Sequence, residues 1–285
     1  MFLQASAKAK GHTLEFISSN ECKMRFSAKP EILVNNKKIK INALIVRPSF
    51  SWKNADIHAN LIKQFELSGV PTLNSYNSIM MTKNKIRTLQ ILSKYNIPMP
   101  KTYVIRSAEF IPEIMKDIGS YPVILKAATG AKGIGVSIVE SQRGLRSMVE
   151  MLMSDDEEAH PLVVQEYIKE ARGTDVRVFI VGDKIIAAMD RIATKKGEFR
   201  SNFSLGGKVK VASLSPEEKK VSLKAAKACG LDFAGVDLIR SKRGPKVLEV
   251  NSNPGLQGIT EATGIDVAGY IIDLAVKRAH EKKKR

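Results

Sequence analysis

The sequence predicts an α+β fold in which a small α/β unit precedes a larger, strand-rich region. Three observations carry that prediction. Residues 1–78 alternate helical and extended patterns; six extended segments with only two intervening helices follow from Lys101; and a long hairpin pattern, AGVDLIRSKRGPKVLEVN, lies near the end of the 285-residue chain.

In order, Phe2 to Gly11 reads as a helix and Thr13 to Ile17 as a strand. KIKINALIVRP (Lys38 to Pro48) holds another strand, Asp56 to Gly69 an amphipathic helix ended by its glycine, and VPTLN a short parallel-type strand. Opening on a helix is unusual for an α/β unit, so its first strand is expected to be missing. Ser78 to Tyr95 reads as one helix with Ile79, Ile86, Leu89, Ile91 and Leu92 apolar. NIPMP stops it, because proline excludes helix at and before its own position. TYVI, YPVILKA, GVSIVE, PLVVQEYI, DVRVFIVGD and KIIAAMDRI are strands, with helices at Phe110 to Ile118 and Gly144 to Met153. SLSPEEKKVSLKAAKACG is a helix capped by Ser215 with Pro216 at its start. The hairpin follows, and a helix from Ile265 to Lys282 closes the chain. These segments divide the chain into an N-terminal α/β domain (1–78), a linker helix (79–100), a first half (101–168) and a second half (169–285).

Composition excludes some classes. Hydrophobic content of 44% and charged content of 26% are those of a globular protein, and no apolar run approaches the ~18 residues of a membrane span. The opening MFLQASAKAKGH predicts no signal peptide. Two cysteines, Cys22 and Cys229, without Cys-x-x-Cys spacing fit a reducing cytoplasm and offer neither a disulfide framework nor a metal motif. The four histidines match no zinc spacing, and no Gly-x-Ser-x-Gly elbow occurs. Basic residues outnumber acidic ones 46 to 29, a net +17 that attracts acidic partners, although the terminal KRAHEKKKR is also an ordinary solvated helix end.

Three groups of residues carry candidate chemistry. In PVILKAATGAKGIGVSIVE, Lys126 precedes Gly130, Gly133 and Gly135, and a β-branched strand follows. A P-loop places its lysine after the glycines and opens a helix, so this is a strand–loop–strand flap whose bare backbone can approach phosphates beside a point charge. In the hairpin, a turn centred on Arg243 puts Asp237 opposite Glu249, with Asn251 two residues beyond on the same face. Paired carboxylates either share a proton or hold a cation; carboxylate and amide oxygens suit Mg²⁺ with open positions for a phosphate substrate. Third, Glu166 and Tyr167 end one strand, Asp175 and Arg177 begin the next, and Arg191, Arg200 and Asn202 fall outside any apolar face. A lysine, several arginines and a metal site are what triphosphate binding demands.

In this order the segments resemble an ATP-grasp ligase, and more narrowly the RimK group, the ribosomal protein S6 glutamate ligases. The resemblance runs from about Leu3 to Ala279 and is carried by LVVQEYIKEARGTDVR, GEFRSNFSLGG, AGVDLIRSKRGPKVLEVNSNPGLQGI and TGIDVAG. It implies a pre-ATP-grasp domain followed by two α+β halves that clasp ATP. It places Lys126 on the phosphates, Glu166 and Tyr167 at the adenine, Asp175 at the ribose, and Arg200, Ser201 and Asn202 by the phosphates, with Arg200 and Asn202 at the reacting centre. Asp237, Glu249 and Asn251 would bind two Mg²⁺ or Mn²⁺ ions, Glu249 bridging. Lys85 matches an upstream phosphate lysine, but Asn84 stands where relatives often have Asp. Such ligases convert a carboxylate to an acylphosphate that an amine attacks, with the flap excluding water.

The resemblance therefore implies a cytoplasmic ligase, tetrameric like many of the family, that adds L-glutamate to the C-terminus of ribosomal protein S6 or another acidic acceptor. Two alternatives stand beside it. The acceptor could be a small coenzyme or a lysine-pathway intermediate, or the chain could be a non-catalytic ribosome or nucleic-acid binder living on its charge, with binding that weakens steeply in salt.

Overall fold

The computed structural model describes residues 1–47, 55–128, 135–153, 161–194, 201 and 206–283. In chain order they form α1 (Phe2–Ala9), β1 (Cys22–Arg25), β2 (Glu31–Val34), β3 (Lys37–Lys38), β4 (Leu44–Ile45), α2 (Ala55–Leu67), β5 (Thr72–Leu73), α3 (Tyr76–Lys83) and α4 (Lys85–Lys94). Next come β6 (Thr102–Ile105), α5 (Ile111–Ile118), β7 (Val123–Ala127), β8 (Val136–Val139), α6 (Gln142–Met153) and β9 (Leu162–Glu166). The last stretch holds β10 (Thr174–Val181), β11 (Lys184–Ile192), β12 (Lys208–Val211), α7 (Pro216–Ala228), β13 (Phe233–Ser241), β14 (Gly244–Asn251), α8 (Gln257–Thr263) and α9 (Val267–Lys283).

Two antiparallel sheets dominate. One is ordered β6-β9-β7-β8 and the other β12-β11-β10-β13-β14. The larger sheet is buried on both faces. Val176, Val178, Val236, Leu238 and Val250 meet α7 on one side, while Phe179, Val181, Met189 and Phe233 meet α8, α9 and α1 on the other. Ser215 caps α7 in a reciprocal box with Glu218, as the SxxE spacing requires. The N-terminal region has a parallel pair, β4-β5, and a small antiparallel β1-β2-β3 sheet.

Several sequence expectations shift. Thr13 to Ile17 pairs in no ladder and lines a cavity of about 840 Å³ together with β4, α2 and α9. The expected helix from Ser78 to Tyr95 is two helices broken at Asn84, which leaves helical geometry (φ −104°, ψ 115°) and accepts the Arg87 N–H on its side chain at 3.1 Å. An asparagine oxygen satisfies a helix N-terminus better than it serves a helix interior. Strand β12 was not anticipated, because KVKV is a lysine-bearing edge with little core to bury. The final helix begins at Val267, and α8, which ends at Gly264 with φ 70°, precedes it.

Asp237 does oppose Glu249, but Ser241 pairs with Gly244, so the turn is centred half a residue before Arg243. An irregularity between Asp237 and Leu238 leaves Leu248 outside the ladder and restores the register. Val247, only 1% exposed, therefore faces the core, whereas the turn centred on Arg243 would put Leu248 there.

Candidate active site

The candidate site is assembled on one end of the larger sheet. Ladder pairing sets Asp175 opposite Arg191, Arg177 opposite Asp237, and Asp237 opposite Glu249. Asp175 and Arg177 share a face of β10, as Glu249 and Asn251 share one of β14. The sheet register thus converts residues distant in sequence into one polar row.

That row is largely paired with itself. Arg177 donates from Nε and Nη2 to the two Asp237 oxygens, both at 2.7 Å. Arg191 holds Asp175 in the same two-pronged way at 2.6 and 2.7 Å, and its Nη2 also lies 2.8 Å from Asp237 Oδ2. Ser201 donates its hydroxyl to Asp175 Oδ2 at 2.6 Å. Asp175, Asp237, Arg191 and Ser201 are all buried. Burial pushes the Asp237 carboxyl up, but Arg177 and Arg191 outweigh it and hold the group below the ordinary range. Asp175 moves the other way: burial, helped by the like charge of Asp237, wins over Arg191 and Ser201.

These contacts bear on three expectations without deciding any residue's role toward a ligand. The repulsion between Asp237 and Glu249 is relieved by arginines from the neighbouring strands, not left wholly for a cation to settle. Arg177 and Arg191, expected among the phosphate-binding cations, are engaged with carboxylates. Asp175, expected at the ribose, sits in the interior with both oxygens occupied. Of the three carboxylates, Glu249 alone is exposed. Three carboxylates meet two guanidinium groups, and Glu249 is the one that neither guanidinium pairs with among the described residues. The Asn251 amide, turned so that its oxygen accepts from Arg177 Nη2 at 3.2 Å, donates to Glu249 Oε1 at 3.2 Å.

Near Glu249 of this row are lysines of β7 and of the linker helices α3 and α4. Lys126, at the end of β7, donates to Gln165 Oε1 at 3.1 Å, and Gln165 in turn donates to Thr102 Oγ1 at 2.7 Å. Burial pushes the Lys126 ammonium down to about 8; Glu249 opposes the shift and Lys85 adds to it. Lys83 is lowered by burial and responds to the same two neighbours. The break at Asn84 places Lys83 at the end of α3 and Lys85 at the start of α4, so both flank one corner of the site. Glu166 bridges the halves: its Oε2 accepts from Lys246 Nζ at 2.7 Å and from the Lys101 N–H at 3.1 Å. Burial pushes Glu166 up, but these bonds prevail and hold it below its usual value. Tyr167 follows it, half-buried. Arg200, Asn202 and the glycine flap over 129–134 lie outside the described residues.

Sequence reasoning missed several of these side chains. Lys83 carries no motif. Gln165 and Lys246 are single polar residues inside strands. Asn74 is wholly buried; it donates to the carbonyls of Phe233 and Ser252 and accepts from the N–H groups of Asp232 and Phe233, which locks the end of β5 to the hairpin. Gly235 is required for close approach, since a Cβ there would lie 2.8 Å from Pro254 Cβ.

Could these residues hold a divalent metal? The donors are of the right chemistry, two carboxylates and an amide oxygen, and Glu249 is open to solvent. Asp237 Oδ1 accepts from Arg177 Nε and retains one further lone pair, so the carboxylate can be shared between the arginines and a cation. Among the described residues no three acidic, histidine or cysteine side chains gather as a ligand set, so the amide is needed.

Solved structures share the fold. PsnB, an ATP-grasp ligase described in complex with its minimal precursor, Mg and ADP, superposes with a TM-score of 0.76 over 98% of this chain and 94% of its own at 18% identity. A RimK domain ATP-grasp protein from Sphaerobacter thermophilus gives 0.73 over 96% and 94% at 22% identity. The fold is thus that of the ATP-grasp enzymes. The model of the RimK-like ATP-grasp domain matches residues 82–275, and that of the RimK PreATP-grasp domain matches residues 2–79. The chain belongs to the RimK-like ATP-grasp family and is an ATP-dependent ligase. Its relatives include proteins named probable alpha-L-glutamate ligase from Pseudoalteromonas translucida (40% identical, 97% of this chain and 91% of the relative) and probable alpha-L-glutamate ligase 1 from Shewanella amazonensis (39%, 99% and 93%). Among the described residues no helix is long and apolar enough to cross a membrane.

Proposed function

We propose that this ligase joins L-glutamate to a carboxylate acceptor, with the C-terminus of ribosomal protein S6 as the acceptor that best suits its net charge of +17. The observation that carries the reading is the near-full-length likeness to relatives named as alpha-L-glutamate ligases. The site's division into an exposed carboxylate beside an amide and a facing group of lysines agrees with it. Asp237, Glu249 and Asn251 would hold two Mg²⁺ or Mn²⁺ ions, and Lys126, with Lys83 and Lys85, would lie along the ATP phosphates. A divalent ion there would supply positive charge to the phosphoryl group in transfer. Arg177 and Arg191 keep Asp237 ionised and fixed in place, so little reorganisation is needed when charge develops. Glu166 and Tyr167 would lie at the adenine, and Arg200, Ser201 and Asn202 near the reacting centre.

Incubating the protein with ATP, Mg²⁺, glutamate and S6 tests this by mass spectrometry of S6. The expected result is a ladder of glutamate additions, lost at least about 10³-fold in rate in Glu249→Ala, as when charge stabilisation at a phosphoryl is removed. That variant should retain its fold because Glu249 is exposed. Unchanged S6 mass alongside ADP release with small carboxylate acceptors would move the acceptor to the coenzyme or lysine-pathway type. Near-normal ligation by Glu249→Ala would remove the metal assignment.

A further inference from the structure

Arg47 follows β4 and is in contact with the chain leaving the candidate site. Its Nη2 donates to the Pro254 carbonyl at 2.9 Å, and its Nη1 is buried with no hydrogen-bond partner among the described residues. No carboxylate of the described residues pairs with it, and burial alone acts on its charge. A buried guanidinium nitrogen without an acceptor is costly, and a bound anion would relieve that cost with a charge-assisted bond. Burial pushes the group down to about 10, which still leaves it charged at neutral pH.

The surroundings say which anion. Pro254 is three residues beyond Asn251, and a Cβ at Gly235 would touch both Pro254 (2.8 Å) and Arg177 Nε (3.4 Å). The residue that anchors Arg47 therefore packs beside the Arg177–Asp237 pair. Asn74 fixes β5, the partner of β4, to Phe233 and Ser252, so Arg47 is held in a set relation to Glu249 and Asn251. Resting on the glutamate-ligase reading, we infer that Arg47 binds a non-reacting carboxylate of the incoming glutamate and positions its amine at the metal-bearing end of β14. Glutamate brings two carboxylates that do not enter the new amide bond, and a guanidinium with donors to spare is suited to one of them. The acceptor also carries carboxylates, so the test must separate the two sources.

Arg47→Gln and Arg47→Lys are compared with the unaltered chain by ADP release, varying in turn glutamate, a triglutamate peptide acceptor and ATP–Mg²⁺. Calorimetric titration with glutamate in the presence of ADP–Mg²⁺ accompanies the kinetics. The expected result is a KM for glutamate raised about 10–100-fold in Arg47→Gln, with kcat and the KM for ATP nearly unchanged and a smaller rise in Arg47→Lys. Should Arg47→Gln misfold, Arg47→Lys keeps the stem and charge and decides alone by its glutamate KM. An unchanged glutamate KM, a rise confined to the peptide, or a fall in kcat alone would overturn the assignment. Failure of the ligase reading looks different: the unaltered chain would then neither bind glutamate nor require it for ADP release.

Discussion

The two walls of the candidate site solve the cost of buried charge in opposite ways. On the larger sheet, Asp175, Asp237, Arg177 and Arg191 neutralise one another before any ligand arrives, through bonds of 2.6–2.8 Å. On the smaller sheet, Lys126 donates to a neutral amide, and burial weakens its hold on its proton. The first arrangement is stable by itself and fixes geometry. The second bears a cost that a bound polyanion would relieve, which makes the lysine wall the part whose energy changes most on nucleotide binding.

Breaking the self-paired wall should have the largest effect on stability. Arg191 is its hub, 6% exposed at the side chain and shared between Asp175 and Asp237. Arg191→Met leaves buried Asp175 with no guanidinium and Asp237 with Arg177 alone, and the expected loss is about 3–5 kcal/mol in urea unfolding at neutral pH. The sign of the pH dependence follows from Asp175, whose folded pKa is already raised. Without Arg191 it rises further, so the deficit should shrink as pH falls and Asp175 takes up a proton. A deficit independent of pH would mean that the loss is one of packing rather than charge.

The lysine wall should respond in the reverse sense. Lys126→Met removes a charge that the fold carries at a cost, so the ligand-free protein should melt a few degrees higher while the KM for ATP rises about 10–100-fold. In the unaltered chain the folded pKa of Lys126, about 8, lies below its ordinary value. Between the two the unfolded chain binds more protons, so this group's contribution makes stability increase with pH there. Its charge is lost above pH 8, and kcat/KM for ATP should decline on that side. Lys126→Arg, which cannot deprotonate in this range, should remove that limb. A lowered melting temperature in Lys126→Met would contradict the contrast between the walls.

The walls also differ in how well they could be read from sequence. The acidic side was partly legible because alternation along a strand fixes which residues share a face, and Asp237, Glu249 and Asn251 emerge from spacing alone. Its neutralising arginines read as phosphate ligands, since strand order within a sheet is not written in local pattern. Arg177 meets Asp237 only because β10 pairs with β13, across a stretch of 60 residues. The register itself was recovered because the misplaced turn and the irregularity at Leu238 offset each other. On the basic side Lys126 stood out through its glycines, whereas Lys83 depended on a helix break at Asn84 that apolar periodicity passes over. Arg47 and Asn74 gave no local signal, because their importance lies in partners some 160 to 207 residues away.

The link between the walls should show the smallest effect. Lys246 of β14 reaches Glu166 at the end of β9, the two side chains being 14% and 27% exposed. Glu166 keeps the Lys101 N–H when Lys246 is replaced, so its charge is never left wholly unsupported. Lys246→Met should therefore cost only about 1 kcal/mol or less, the scale of a partly exposed ion pair. Glu166 is held below its ordinary pKa, so this contribution is present at neutral pH and lost as pH falls through the folded value. The difference between the variant and the unaltered chain should then shrink as the pH is lowered through that value. In kinetics the expected change is a few-fold rise in the KM for ATP with kcat retained, since the pair aligns two sheets and touches no reacting atom. A large fall in kcat would instead place Lys246 itself at the phosphates, and the two walls would then share their cations rather than divide them.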